Sequence, residues 1–350
     1  MIRQLYKTMW KIGGTYSLIR KLSSIDGSDI DASVLDRVMY NAELLPPLGK
    51  EYWWLHFSGR DGEKPIQFML LIFRKHGGNV MFNDKEMMLM GLEENTFQAV
   101  TAGWIYDGER LHDLGDTNAV TKVDSDRKTI FTTISGRKMM LNGSFPSYRL
   151  RVGDIIDLDI GGLNGIVDKD AYGVFMPPFG MGWVNIFLDA KGTVLGKRFR
   201  GTAHLQKVVG VTTFGHFHWG RVVFQRGFSI SFFCLKAGKN SNRYFHRSII
   251  FQDFKNNKTI NFDNPKLKIQ KIESGRQWIV EGRDDDKNVK IVLASYAKKL
   301  YTIKGGGSQV YIEYAVIPEE FDLKTESSVI SLGDLGNGVG TFEDACGSPI

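Results

Sequence analysis

Cysteine is nearly absent from this chain: Cys234 and Cys346 are its two cysteines in 350 residues. They lie far apart, with no CxxC pair and no zinc-ligand spacing, which argues against a disulfide-built fold and a structural zinc site. Two inert thiols in a reducing compartment are expected. Proline is scarce too, at nine residues, so Pro-rich linkers are excluded. The longest apolar run, Phe68-Met69-Leu70-Leu71-Ile72-Phe73, falls far short of the roughly 18 residues of a membrane-spanning helix. The N-terminus shows no signal-peptide apolar core. Also missing are a Gly-rich phosphate loop between strand and helix, a G-x-S-x-G elbow and an HExxH helix. A soluble cytoplasmic protein without cofactor or metal is expected, with peripheral membrane contact left open.

Charge is unevenly placed. Residues 1–24 hold Arg3, Lys7, Lys11, Arg20 and Lys21 and no acid, a local +5 of the whole-chain +6. The remaining chain is nearly neutral, whereas a nucleic-acid binder spreads its basic residues over the folded body. No nucleic-acid partner is expected. Ile2, Leu5, Tyr6, Met9 and Trp10 recur at helical spacing beside the Arg3, Lys7, Lys11 stripe. That pattern fits a basic helix lying on a membrane surface and equally a helix docked on its own domain.

A second helix is predicted over about residues 31–43, with Asp31 or Ser33 as cap, ended by Pro46-Pro47. From residue 50 the pattern changes to short β-rich stretches separated by turn residues such as Ser58-Gly59-Arg60-Asp61-Gly62, Asn142-Gly143 and Asn256-Asn257. Lys266-Leu267-Lys268-Ile269-Gln270-Lys271-Ile272 alternates polar and apolar, the mark of an antiparallel strand with one wet face. A faint echo, Tyr52–Phe57 followed by Gln67–Phe73 and later His216–Gly220 followed by Phe228–Leu235, suggests two similar units. The expected organisation is a helical segment over 1–46 and two antiparallel β-barrel domains over 47–200 and 201–350.

Glu51-Tyr52-Trp53-Trp54, a Gly turn, Gln67-Phe68 and Phe73 resemble the opening E-W-W-Y signature of the carotenoid 1,2-hydratase (hydroxyneurosporene synthase) superfamily. Tocopherol-cyclase-like proteins and several cofactor-free cyclases are its broader relatives. Val209-Gly210 and His216-Phe217-His218-Trp219-Gly220 are similar to that family's mid-chain v-x-G-x-x-W-x-D-H-E-W-G element. The resemblance runs over residues 50–240 and implies two lipocalin-like β-barrels with an apolar ligand pocket. The chain departs from the motif at the chemistry: His216 stands where an acid is usual, Phe217 on the family's His or Arg, and His218 on its Glu or Gln. An acid that protonates an alkene must then come from elsewhere.

Three groups could carry chemistry. His216 and His218, two apart on a strand, share a face at about 6.5–7 Å, with Phe217 and Trp219 opposite. They could exchange protons near neutral pH, hold zinc if His204 supplied a third ligand, or simply be hydrogen-bonded within the fold. Glu313 is the one charge in Gln309–Ile317, on a strand with two apolar faces. Buried there, it would have a raised pKa, as a general acid requires; at a sheet edge it would sit in water. Glu343 and Asp344, near the C-terminus, read as surface residues. Tyr52, Trp53 and Trp54 form an aromatic cluster that could stabilise a carbocation or only pack a core. Catalytic roles are expected for Glu313, His216 and His218, and ligand contacts for Tyr52, Trp53, Trp54, Trp219, His204 and Tyr311. The expected activity is cofactor-free acid–base hydration, cyclisation or isomerisation of an extended apolar molecule, isoprenoid- or polyketide-like. A non-catalytic carrier with the same pocket, and a β scaffold without one, remain open.

One expectation follows for the basic N-terminal segment. If residues 1–24 lie on an anionic membrane, each Lys or Arg contributes about 1 kcal/mol, screened by salt. Co-sedimentation with vesicles should then need anionic lipid and weaken with added salt. Binding indifferent to lipid charge would favour the docked helix.

Overall fold

The computed structural model describes residues 13–348 except 25–29, 43, 94, 163–165, 177, 213–214, 239–240, 242, 264, 273–275 and 306. The helix expected over residues 2–12 lies outside them. The chain divides into two compact units, residues 1–213 and 214–350. Both are antiparallel β structures of lipocalin-like type, as the turn-rich alternation demands.

The first unit opens with helices α1 (Gly13–Leu22) and α2 (Ala32–Met39). Asp31 caps α2, its carboxylate accepting from the Ser33 amide at 2.7 Å. The barrel that follows is formed by β1 (Gly49–Asp61), β2 (Lys64–Lys75), β3 (Thr96–Tyr106), β4 (Leu111–Asp124), β5 (Thr129–Ile134), β6 (Arg137–Ser144), β7 (Ser147–Val152), β8 (Ile156–Gly161), β9 (Phe179–Val194) and β10 (Lys197–Val211). Pairing runs β8-β7-β6-β5-β4-β3-β2-β1-β10-β9, and β8 pairs back onto β9, closing the barrel. Residues 201–211 therefore go with the first unit, because β10 lies between β1 and β9.

Strand alternation fills this barrel. Trp53, Leu55 and Phe57 of β1 meet Phe68, Leu70 and Ile72 of β2 in one fully buried cluster. Helix α2 joins that core with Leu35, Val38 and Met39. Two polar ties hold it there: the Trp53 indole donates to the Met39 carbonyl at 2.8 Å, and Tyr148 donates to the Asp36 carboxylate at 3.1 Å. Into the same interior the fold places three charges. Glu51 pairs with Arg74 and with Lys207 at 3.0 Å. The Arg74 guanidinium lies 4.0 Å over the Phe97 ring, and Lys207 lies 3.8 Å over Trp53 while donating to the Asn41 carbonyl.

The second unit is built on β11 (His216–Phe224), β12 (Phe228–Lys236), β13 (Tyr244–Asp253), β14 (Lys258–Asp263), β15 (Lys266–Lys271), β16 (Gln277–Asp284), β17 (Lys287–Lys304), β18 (Ser308–Lys324) and β19 (Gly338–Ser348). Their order is β14-β13-β12-β11-β19-β18-β17-β16-β15. The sheet curls round a single core to which both ends contribute, Phe262 from β14 and Leu267 and Trp278 from β15 and β16. Gly282 of β16 shows how closely the ends approach: a Cβ there would lie 2.0 Å from the Ile249 side chain of β13. Gly220 has a similar reason, since its Cβ would meet the Phe232 ring at 2.3 Å. Among the described residues no helix is long and apolar enough to cross a membrane.

The buried triad makes a stability prediction. One acid faces two cations, so Glu51→Gln strands both, whereas Lys207→Met leaves the Glu51–Arg74 pair intact. Breaking a buried pair costs about 3–5 kcal/mol, and Glu51→Gln should approach that loss while Lys207→Met costs less. Guanidinium unfolding midpoints of the two variants decide it, and the reverse order would refute the pairing argument.

Candidate functional site

Strand β18 runs between β17 and β19 in the second unit, so Glu313 is not at a sheet edge. It is fully buried. Strand register places Glu313 directly across from Glu343 of β19 and, on its other side, from Lys299 of β17. Glu343 in turn lies across from Trp219 of β11. Directly opposed residues share a face with Cβ atoms about 4.5–5.5 Å apart. Four neighbouring strands thus form one row, Trp219, Glu343, Glu313, Lys299. This face is opposite the unit's apolar core, which takes the alternate residues Tyr314, Val316 and Phe342. The neighbours along it are small and buried: Ala315, Thr341 and Ala345.

Glu343 is 8% exposed. Burial pushes its carboxyl from the ordinary 4.5 up to about 8, and a hydrogen bond from the Tyr311 hydroxyl opposes that rise. Tyr311 sits diagonally across from Glu343, its ring 6.0 Å from Tyr301 and 6.4 Å from Phe217. Arg221 also lies on this face, across from Thr341, and is buried. The arrangement is a dry carboxyl pair, one member able to hold a proton at neutral pH, bordered by aromatic rings and two cations.

The histidines lie on the other side of the sheet. His218 is across from Asp344, which is across from Ile312. His218 Nε2 is 3.2 Å from the Asp344 carboxylate, and its ring stacks on Phe342 at 5.7 Å. His216 shares that face and is half-buried. A single odd–even step therefore separates Glu313 from His216 and His218, and the three do not meet on one substrate-facing surface. Asp344, read from the sequence as a surface residue, is half-buried against His218. Among the described residues no three His, Cys, Asp or Glu side chains gather as a metal-ligand set.

The remaining expected contacts fall into place by the same alternation. Trp53 is a core residue of the first barrel. Trp54 is buried on the opposite face and stacks on His56 at 4.9 Å, with His204 at 5.0 Å. Tyr52 shares that face, half-buried. His204 Nε2 donates to Asn185 Oδ1 at 2.9 Å. Gln67 Nε2 donates to His56 Nε2 at 2.7 Å, consistent with a His56 ring whose pKa burial drives down to about 3. Trp219 and Tyr311 belong to the carboxyl row. Glu343, read from the sequence as a surface residue, is buried because β19 lies between β11 and β18, and His56 was not singled out. Thr341-Glu343-Ala345 does alternate with Phe342 and Asp344, but its partner, Glu313, is fixed only by the β18–β19 register.

No family model matches the sequence, and no curated protein matches it. Among solved structures the chain is similar to CghA with Sch210972, at TM-score 0.54 and 11% identity over 93% of this chain and 95% of that one. It also aligns with kievitone hydratase from Nectria haematococca, at TM-score 0.45 and 9% identity over 92% and 96% of the two chains. The likeness to CghA shows a common fold over nearly the whole length of both chains.

Proposed function

We propose that this protein is a cofactor-independent enzyme that moves protons on an extended apolar small molecule, isoprenoid- or polyketide-like, through the Glu313/Glu343 pair. The observation that carries this reading is a buried carboxyl whose pKa sits near 8 directly across from a second buried carboxyl. Two carboxyls in one dry site do not readily both ionise. Glu343, which has a tyrosine hydroxyl for company, keeps the proton and donates it to an alkene or carbonyl. Glu313, with Lys299 across from it, takes a proton from the resulting cation or from water. Trp219, Tyr311 and Phe217 supply apolar contact and π-faces for developing positive charge. The outcome is hydration, cyclisation or isomerisation according to what captures the cation. A carrier gains nothing from burying such a pair, which costs desolvation free energy. The binding of a small molecule is in keeping with the fold shared with CghA, whose structure was solved with Sch210972.

The test begins with solvent extraction of the purified protein and mass spectrometry of any co-purifying molecule. Turnover of that molecule in D2O should place deuterium on carbon. Glu343→Gln should lower turnover by roughly 10²–10⁴, the usual scale of general acid–base help, while binding stays within a few-fold. Deuterium incorporation at an unchanged rate in Glu343→Gln would remove the acid role.

A second measurement needs no substrate. The folded-state pKa of Glu343 is raised, so below about 4.5 both folded and unfolded chains carry its proton. Between 4.5 and about 8 only the folded chain does, and stability falls by about 1.4 kcal/mol per pH unit from this group. Above that window the loss is complete. Glu343→Gln lacks this decline, so the variant should gain on the wild type as pH rises through the window. A stability difference that stays flat with pH would contradict the raised pKa.

A further inference from the structure

A buried acid works repeatedly only if its proton is replaced. For Glu343 the replacement has two sources. Glu313, directly across, hands back a proton it has collected, or the proton comes from solvent. Deuterium from D2O reaches a substrate carbon by the second route alone. The groups around Glu343 decide how a solvent proton gets in.

A side chain that passes protons on must both donate and accept. Arg221 lies diagonally from Glu343 on β11, but a guanidinium stays charged and only donates. The Trp219 indole, directly opposite on the same strand, also only donates. The Thr341 hydroxyl, two residues along β19, is buried and donates to the Tyr314 carbonyl at 3.2 Å. Phe217 has no polar side-chain atom. Lys299 stands across from Glu313 and not from Glu343. Among the described residues Tyr311 remains. Its hydroxyl donates and accepts equally well, and it is hydrogen-bonded to the Glu343 carboxyl.

Tyr311 also lies where this face of the sheet comes to the surface. Along β18, Glu313 is fully buried, Tyr311 two residues earlier is half-buried, and so is Gln309 beyond it. On β11, Phe217 is half-buried as well, its ring 6.4 Å from that of Tyr311. In the opposite direction Ala315, Thr341 and Arg221 are all buried. Tyr301, directly across from Tyr311, is buried too, and the two rings stack at 6.0 Å. Packing from Tyr301 on one side and Phe217 on the other thus holds the Tyr311 ring between the dry carboxyl and the accessible edge.

We propose that Tyr311 is the positioning residue that carries protons between solvent and Glu343, its hydroxyl giving one proton to the carboxylate and taking another from water at the half-buried edge. This role rests on the acid function given to Glu343 above. As the Tyr311 O–H bond breaks, the Glu343 O–H bond forms. A hydronium at the edge then restores the Tyr311 O–H bond and leaves as water, and every electron pair stays on oxygen. The reverse passage exchanges the resting proton of Glu343 with solvent. The same hydrogen bond favours the ionised carboxyl, so it offsets part of the effect of burial and eases the departure of the proton.

Infrared spectroscopy reads the relay without a substrate. A protonated Glu343 gives a carboxyl C=O stretch that Glu343→Gln lacks, and this stretch shifts when its hydrogen becomes deuterium. After rapid dilution of the full chain into D2O, Tyr311→Phe should slow that shift by roughly 10²-fold, the lower scale of help from a positioned acid–base group. Tyr301→Phe removes a hydroxyl from the same ring stack and should leave the rate unchanged. The second readout is pH. Tyr311→Phe loses the hydrogen bond that favours the carboxylate, so its pH-dependent loss of stability should extend above about 8, measured against the Tyr311→Phe/Glu343→Gln double variant. Exchange unchanged in Tyr311→Phe, equal slowing in Tyr301→Phe, or a pH window that ends where the wild type's does would each overturn the relay. A wild type without the Glu343 stretch at neutral pH would instead remove the acid function itself, and the relay with it.

Discussion

Desolvation governs this molecule more than any other single interaction. Strands buried on both faces leave few places where a charge meets water, so each charged side chain kept inside must find an answer within one strand pairing. Glu51 is answered by two cations, Arg74 and Lys207. Asp36 is answered by the Tyr148 hydroxyl and the Phe145 amide. Among the described residues, Glu343 has the Tyr311 hydroxyl alone to oppose its burial. The first arrangement is an ion cluster that braces a barrel. The last is a carboxyl that keeps its proton at neutral pH. Burial is similar in both, and the company of the carboxyl decides between structure and chemistry.

Register is the means by which that company is chosen. Strand alternation has a period of two, so a one-residue slip moves every side chain to the other face. On β11, β19 and β18 the odd–even choice sorts Trp219, Glu343 and Glu313 onto one side, and His218, Asp344 and Ile312 onto the other. The same three strands therefore present two chemically different surfaces: a proton-holding pair on one, a histidine–carboxylate pair over aromatic rings on the other. Gly220 supports this economy, since its missing side chain lets the Phe232 ring pack into the core beside it.

Much of the fold could be read from the residues. Turn clusters at regular spacing and the clean alternation of Lys266–Ile272 dictate antiparallel strands, and Asp31 marks the start of α2 because a carboxylate there satisfies a free helix amide. Glu313 stood out as a lone carboxyl on a strand with two apolar faces, but whether it was buried or at a wet sheet edge stayed open until the strand order placed β18 between β17 and β19. Glu343 did not stand out. Its neighbours Phe342 and Asp344 make the segment look mixed, and its significance depends on a pairing with Glu313 that spans the turn and short helix Leu332–Leu335. Cross-strand partners distant in sequence carry no local signature, so a site built from such partners emerges only with the register. The division near residue 213 was similarly hidden, because β10 continues the first barrel without any break in composition.

The departure of His216-Phe217-His218 from the acid-bearing motif acquires a physical meaning in this geometry. An acid at 218 would lie on the core face, across from Asp344 and over Phe342, where two carboxyls would repel each other. With imidazole at 218, Asp344 instead gains a partner across the strand pair at 3.2 Å. On the opposite face Glu343 sits directly across from Glu313, with the small buried residues Ala315, Thr341 and Ala345 beside them. The alternation of the sheet thus keeps the His218–Asp344 pair and the Glu313–Glu343 pair on opposite faces of the same strands.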